Sequence, residues 1–227
     1  MGTQMGHTVD LKAADGFKLG GYRAEPAGRP KGALVVLQEI FGVNHHIRTV
    51  TDRFAAEGYV ALAPALFDRA ERNVELGYDQ AGIDRGLKLR SQIQLTDTLA
   101  DIQAAIQALS DTGKIATIGY CWGGSLAFLS ATRLNGLACA IGYYGGMIAA
   151  HAGETPKVPV LLHFGEEDHG IPLADVEKIR QAQPGIEIHV YKNAGHGFSC
   201  DERDSFSATN HETALKRSLA FLDKHFS

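Results

Sequence analysis

The sequence is poor in cysteine, has no surplus of basic charge and holds no long apolar run. Its three cysteines, Cys121, Cys139 and Cys200, are widely spaced among 227 residues, with no CxxC pair. Such an odd, dispersed set argues against a disulfide framework and favours the reducing cytoplasm. Lys and Arg number 22 against 26 Asp and Glu, a formal charge of −4 with no basic block. That balance argues against a general nucleic-acid binder. No apolar stretch approaches the roughly 20 residues that span a bilayer, so no membrane partner is expected. The opening MGTQMGHTVDLKAADG lacks the apolar core of a secretory signal. Repeats, linkers and low-complexity tracts are also missing, which predicts one domain over 1–227.

What is present is a regular alternation. Short runs at 7–12 and 17–24 flank the turn-prone Asp15-Gly16 and predict a hairpin over about 7–24. GALVVLQE is a continuous apolar strand of the kind a parallel sheet buries on both faces. Asn44 is placed to cap a helix whose Ile47, Val50 and Phe54 share a face, with Gly58 ending it. YVALAP at 59–64 reads as the next strand, and the polar, weakly periodic residues 65–90 as an excursion. Leu95, Leu99, Ile102, Ile106 and Leu109 form the clearest helical stripe in the chain. Strands follow near 114–120, 137–143, 158–163 and 186–191. Helices are expected after 121, near 173–182, and at the end, with Leu215, Leu219, Leu222 and Phe226 on one side. This order predicts an α/β class, with a mostly parallel central sheet and helices on both faces.

In such sheets reactive groups collect beyond the carboxyl ends of the strands. Three strand ends here carry them. KIATIGYCWGG runs a strand into a glycine-flanked turn with Cys121 at its apex, the backbone that an exposed nucleophile requires. VPVLLHFG leads to Asp168, and IEIHVY leads to His196. The order nucleophile, acid, histidine is that of α/β hydrolases. His196 is then the base that activates the thiol, and Asp168 the carboxylate that orients the imidazole. The amide of Trp122 and that of Ile40, in the loop after the strand at 33–38, are the expected oxyanion donors. Cys139 reads as core, and Cys200 is given no catalytic part. His45 and His46 cannot point the same way on one helix, and nothing nearby completes a ligand set. Neither a metal nor a cofactor is expected.

With these residues in place, the chain resembles the dienelactone hydrolase family of α/β hydrolases. The motifs that carry the likeness are QEIFG (38–42), GYCWGG (119–124), GYYGG (142–146), the Gly165-to-Asp168 spacing, and AGHGF (194–198). The resemblance implies a Cys121–His196–Asp168 triad and a carboxylate, Glu39, that regulates the thiol until substrate arrives. It also marks Tyr143, Tyr144 and Phe198 as candidate substrate contacts. The family has an arginine shortly after the catalytic histidine; here Gly197, Phe198, Ser199 and Cys200 follow His196, and Arg203 comes three residues further on. A second family arginine corresponds to Arg85 or Arg90. The expected partner is a small ester or lactone, a dienelactone included, taken by a monomer or weak homo-oligomer. Two other readings stay open: a thioesterase or promiscuous carboxylesterase with the same triad, and a non-catalytic redox-sensing thiol.

Overall fold

The computed structural model describes residues 6–227; the first five residues of the leader reading, Met1–Met5, lie outside them. The chain divides into two compact units, Met1–Ala116 and Thr117–Ser227. The class is the α/β one that the alternation predicts, with mostly parallel pairing. Among the described residues no helix is long and apolar enough to cross a membrane.

In the first unit β1 (His7–Lys12) and β2 (Lys18–Ala24) pair antiparallel around a turn where Asp15 accepts the Phe17 amide at 2.9 Å. The strand order is β1-β2-β4-β3, with β3 (Ala33–Leu37) parallel to β4 (Val60–Pro64). Every residue of β3 and β4 is buried, as unbroken apolar runs require. Helix α1 (His45–Ala56) starts where Asn44 Oδ1 accepts the Ile47 amide, and buries Ile47, Val50 and Phe54.

The stretch read as an excursion contains a helix, α2 (Gln80–Ser91), capped by Asp79. Its weak periodicity has a packing cause. Gly86 passes so near β3's exit loop that a Cβ there would lie 2.0 Å from the Ile40 carbonyl oxygen. Two of its three buried positions, Gly82 and Gly86, are therefore glycines, which carry no hydrophobic signal. Helix α3 (Leu95–Ala108) buries Leu99, Ile102 and Ile106 of the predicted stripe together with Asp101, while Leu95 is half-buried and Leu109, itself buried, stands at the helix's C-terminal cap. Arg69 forks onto that carboxylate with two 2.8 Å bonds and also meets Asp15, tying the hairpin turn to α3.

β5 (Ile115–Tyr120) crosses the boundary between the units. The second unit then holds α4 (Trp122–Arg133), β6 (Cys139–Tyr143), β7 (Val160–Gly165), α5 (Leu173–Ala182), β8 (Glu187–Tyr191) and α6 (Ala208–Phe226). β6, β7 and β8 pair parallel in that order. Helix α6 departs from the predicted stripe. Its buried side chains are Ala214, Ser218, Phe221 and Leu222, while Leu215 and Leu219 are half-buried. The inward face is turned by about one residue because Ser218 meets polar partners in the core.

Candidate active site

Cys121 is the hinge between β5 and α4. Its backbone sits at φ 56°, ψ −114°, a conformation that side-chain-bearing residues rarely adopt. The neighbouring glycines explain how the turn closes. A Cβ on Gly119 would lie 2.0 Å from the Gly123 carbonyl oxygen, and one on Gly124 2.2 Å from that of Tyr143. The Cys121 amide donates to the same Tyr143 carbonyl at 3.0 Å, so the turn is stitched to β6. Trp122 opens α4, and the amides and dipole of that first helical turn favour an anion at Cys121.

The loop after β7 brings Asp168 inward. Its carboxylate has no exposed side-chain surface, Oδ1 accepts the Gly170 amide at 2.9 Å, and Oδ2 lies 2.8 Å from Nδ1 of His196. With one oxygen fixed by backbone, the other can meet the imidazole in only one orientation. His196, on the loop after β8, faces Asp168 on one side and the Cys121 sulfur on the other. Burial alone would lower its pKa; the hydrogen bonds to Asp168 and Cys121, and their charges, outweigh that and push it up to about 10. Asp168, hydrogen-bonded at 2.8 Å, and Cys121, near enough to act on the imidazole, thus flank His196 within the second unit. The other two cysteines differ in kind. Cys139 is enclosed in β6, where burial pushes its thiol up to about 12, and Cys200 is also buried. All three thiols are free.

The remaining predicted residues divide. Tyr144, at φ 37°, sets its ring 5.1 Å from the His196 ring and 5.5 Å from that of Phe198. Phe198 is fully buried, as is Tyr143, whose hydroxyl turns to Ser218 Oγ at 2.7 Å. Arg203 folds back over Gly197, with Nη1 2.8 Å from where a Cβ would stand. The intervening turn thus returns Arg203 to the residue beside His196, despite its later place in the chain. In the first unit, Glu39 and Ile40 lie buried just beyond β3, and Glu39 Oε2 accepts the Tyr78 hydroxyl at 2.9 Å. Arg85 and Arg90 lie on α2; Arg85 is exposed and paired with Glu71. Sequence reasoning missed Tyr78 as Glu39's partner. Nothing in the spacing announces it, because the two are joined only by the fold.

Comparison with known proteins identifies the family. The profile of the dienelactone hydrolase family matches residues 19–226. A Synechocystis protein provisionally named carboxymethylenebutenolidase is 38% identical over 227 residues, spanning 88% of this chain and 92% of its own. The carboxymethylenebutenolidase of Pseudomonas putida is 31% identical over 224 residues, 94% of each chain. Among solved structures, a Klebsiella pneumoniae protein provisionally described as a dienelactone hydrolase superposes with a TM-score of 0.83 at 28% identity. That superposition covers 94% of this chain and 98% of the other.

Proposed function

Since this chain belongs to the dienelactone hydrolase family, whose named relatives are ester and lactone hydrolases, we propose that it hydrolyses small esters or lactones through a Cys121 acyl-enzyme. The supporting observation is the row in which the Cys121 sulfur and the Asp168 carboxylate flank one imidazole. In the first step the thiolate attacks the acyl carbon and the carbonyl electrons move onto oxygen. The Trp122 amide stabilises that oxyanion. His196, as imidazolium, gives its proton to the departing alkoxide as the carbon–oxygen bond breaks. Neutral His196 next takes a proton from water, whose oxygen attacks the thioester. The thiolate leaves, the acid is released, and the imidazolium is restored. Asp168 keeps Nδ1 protonated throughout, so that Nε2 is the nitrogen facing the chemistry.

Glu39 and Ile40 enter on the family resemblance: Glu39 as the carboxylate that controls the resting thiol, Ile40 as the second oxyanion donor. Arg203, folded over Gly197, the residue after His196, is proposed to hold a substrate carboxylate. One hydrolase domain over the whole chain fits a family profile that runs through both compact units. The test is Cys121→Ala. It is expected to fold with an unchanged circular-dichroism spectrum and to lose turnover of lactones, aryl esters and acyl thioesters alike. Full activity in that variant would overturn the assignment. Ranking kcat/KM over the same panel in the wild type separates a lactone hydrolase from a thioesterase or carboxylesterase.

A further inference from the structure

The side chains that this reaction leaves unused include a second buried row in the same unit. His163, on β7, has no exposed surface and both ring nitrogens are engaged. Nδ1 lies 2.8 Å from the Tyr191 hydroxyl, and Nε2 lies 3.0 Å from Ser218 Oγ. The Tyr143 hydroxyl reaches the same Ser218 oxygen at 2.7 Å, and its ring centroid is 4.4 Å from the imidazole. One histidine thus joins β6, β7, β8 and α6.

At the outer end of this row the Arg217 guanidinium stands 5.3 Å from the centroid of the Tyr191 ring. Burial, reinforced by the His189 and Arg217 charges, pushes the His163 pKa well below the ordinary value, so the ring that bridges the two hydroxyls is neutral.

The backbones of the three members that lie on strands touch reactive segments. The Tyr143 carbonyl accepts the Cys121 amide at 3.0 Å. The His163 carbonyl accepts the Tyr144 amide at 2.7 Å, and Tyr144 is the residue whose ring stands against His196. The Tyr191 carbonyl accepts the Glu166 amide at 2.9 Å, at the start of the segment that ends in Asp168. Tyr191 itself ends β8, from which the His196 loop departs.

We propose that His163 is a positioning residue for hydrolysis: bridging Tyr191 and Ser218, its neutral imidazole holds in register the strand ends that present Cys121, Asp168 and His196. This rests on the reading of those three as the catalytic row. A side chain that merely filled the core would lower stability when changed and leave the chemistry alone. A positioning residue also alters how sulfur and imidazole meet, and small displacements of reacting groups are costly.

The experiment compares His163→Phe, which keeps a ring but loses both nitrogens, with His163→Gln and His163→Asn, each of which restores one polar contact. Melting temperature, kcat, KM and the pH profile of Cys121 alkylation by iodoacetamide are measured on each. For His163→Phe, kcat should fall about tenfold to a hundredfold, while KM stays within about threefold. Its alkylation profile should shift from that of the wild type, and Gln or Asn should recover part of kcat. If His163→Phe does not fold, Tyr191→Phe removes a single hydroxyl from the row and is expected to give the same pattern at smaller amplitude. A lowered melting temperature with wild-type kcat and alkylation profile would overturn the proposal. An active Cys121→Ala would overturn both it and the function on which it rests. An inactive Cys121→Ala beside fully active His163 variants would sink the positioning role alone.

Discussion

His196 and His163 lie in the same unit, and burial drives both toward the neutral form. His196 faces a carboxylate and a sulfur, which reverse that tendency and carry its pKa up to about 10. His163 faces two hydroxyl oxygens and is pushed well below the ordinary value. The charge of a partner, more than depth, decides which histidine becomes a cation. In the proposed reading the first row is the reactive one, while the second holds shape.

The largest expected effect that breaks this contrast comes from Asp168→Asn. It removes the charge that favours imidazolium and disturbs the tautomer, and kcat should fall by about 10³–10⁴-fold. Steady-state kinetics checks it; a loss of less than about tenfold would mean that His196 needs no carboxylate.

A pH series sharpens the same contrast. The His196 pKa is raised from an ordinary 6.5 to about 10. The stability gained from that imidazolium is thus fully present below about pH 6.5 and lost as pH rises through about 10. The alkaline limb of kcat/KM should fall near pH 10, where the proton for the leaving group disappears. In Asp168→Asn the limb should move toward neutral pH, and the stability gap to wild type should close as pH approaches 10. A wild-type limb near 6.5 would contradict the charged pairing.

Glu39→Gln should raise the alkylation rate of the resting thiol, because the family resemblance gives that carboxylate the task of disfavouring a second negative charge. An unchanged rate would remove Glu39 from thiol control. The smallest effect is expected of Arg203→Ala, which should raise KM for carboxylate-bearing esters more than for uncharged ones. Equal changes in both would deny it a substrate role.

These two rows also mark what could be read from the chain. Cys121, Asp168 and His196 were legible because each follows an apolar strand in a fixed order, and the glycines around Cys121 answer local backbone crowding. Strands β3 to β8 and helices α1, α3 and α5 were legible from period and caps for the same local reason. The row through His163 was not, because its partners come from distant parts of the chain and share no spacing. Helix α2 was hidden because its buried face rests on Gly82 and Gly86, where contact excludes side chains. On α6 the leucines suggested one face while Ser218, invisible to a hydrophobic pattern, set another. The fold back of Arg203 over Gly197 is likewise a property of the loop and not of its spacing.

The most direct measurement is rapid quenching of turnover with an activated ester, followed by peptide mass spectrometry. An acyl adduct on the peptide containing Cys121, formed and lost at rates compatible with kcat, is the predicted result. Turnover without any adduct there, or with the acyl group on another side chain, would contradict the account.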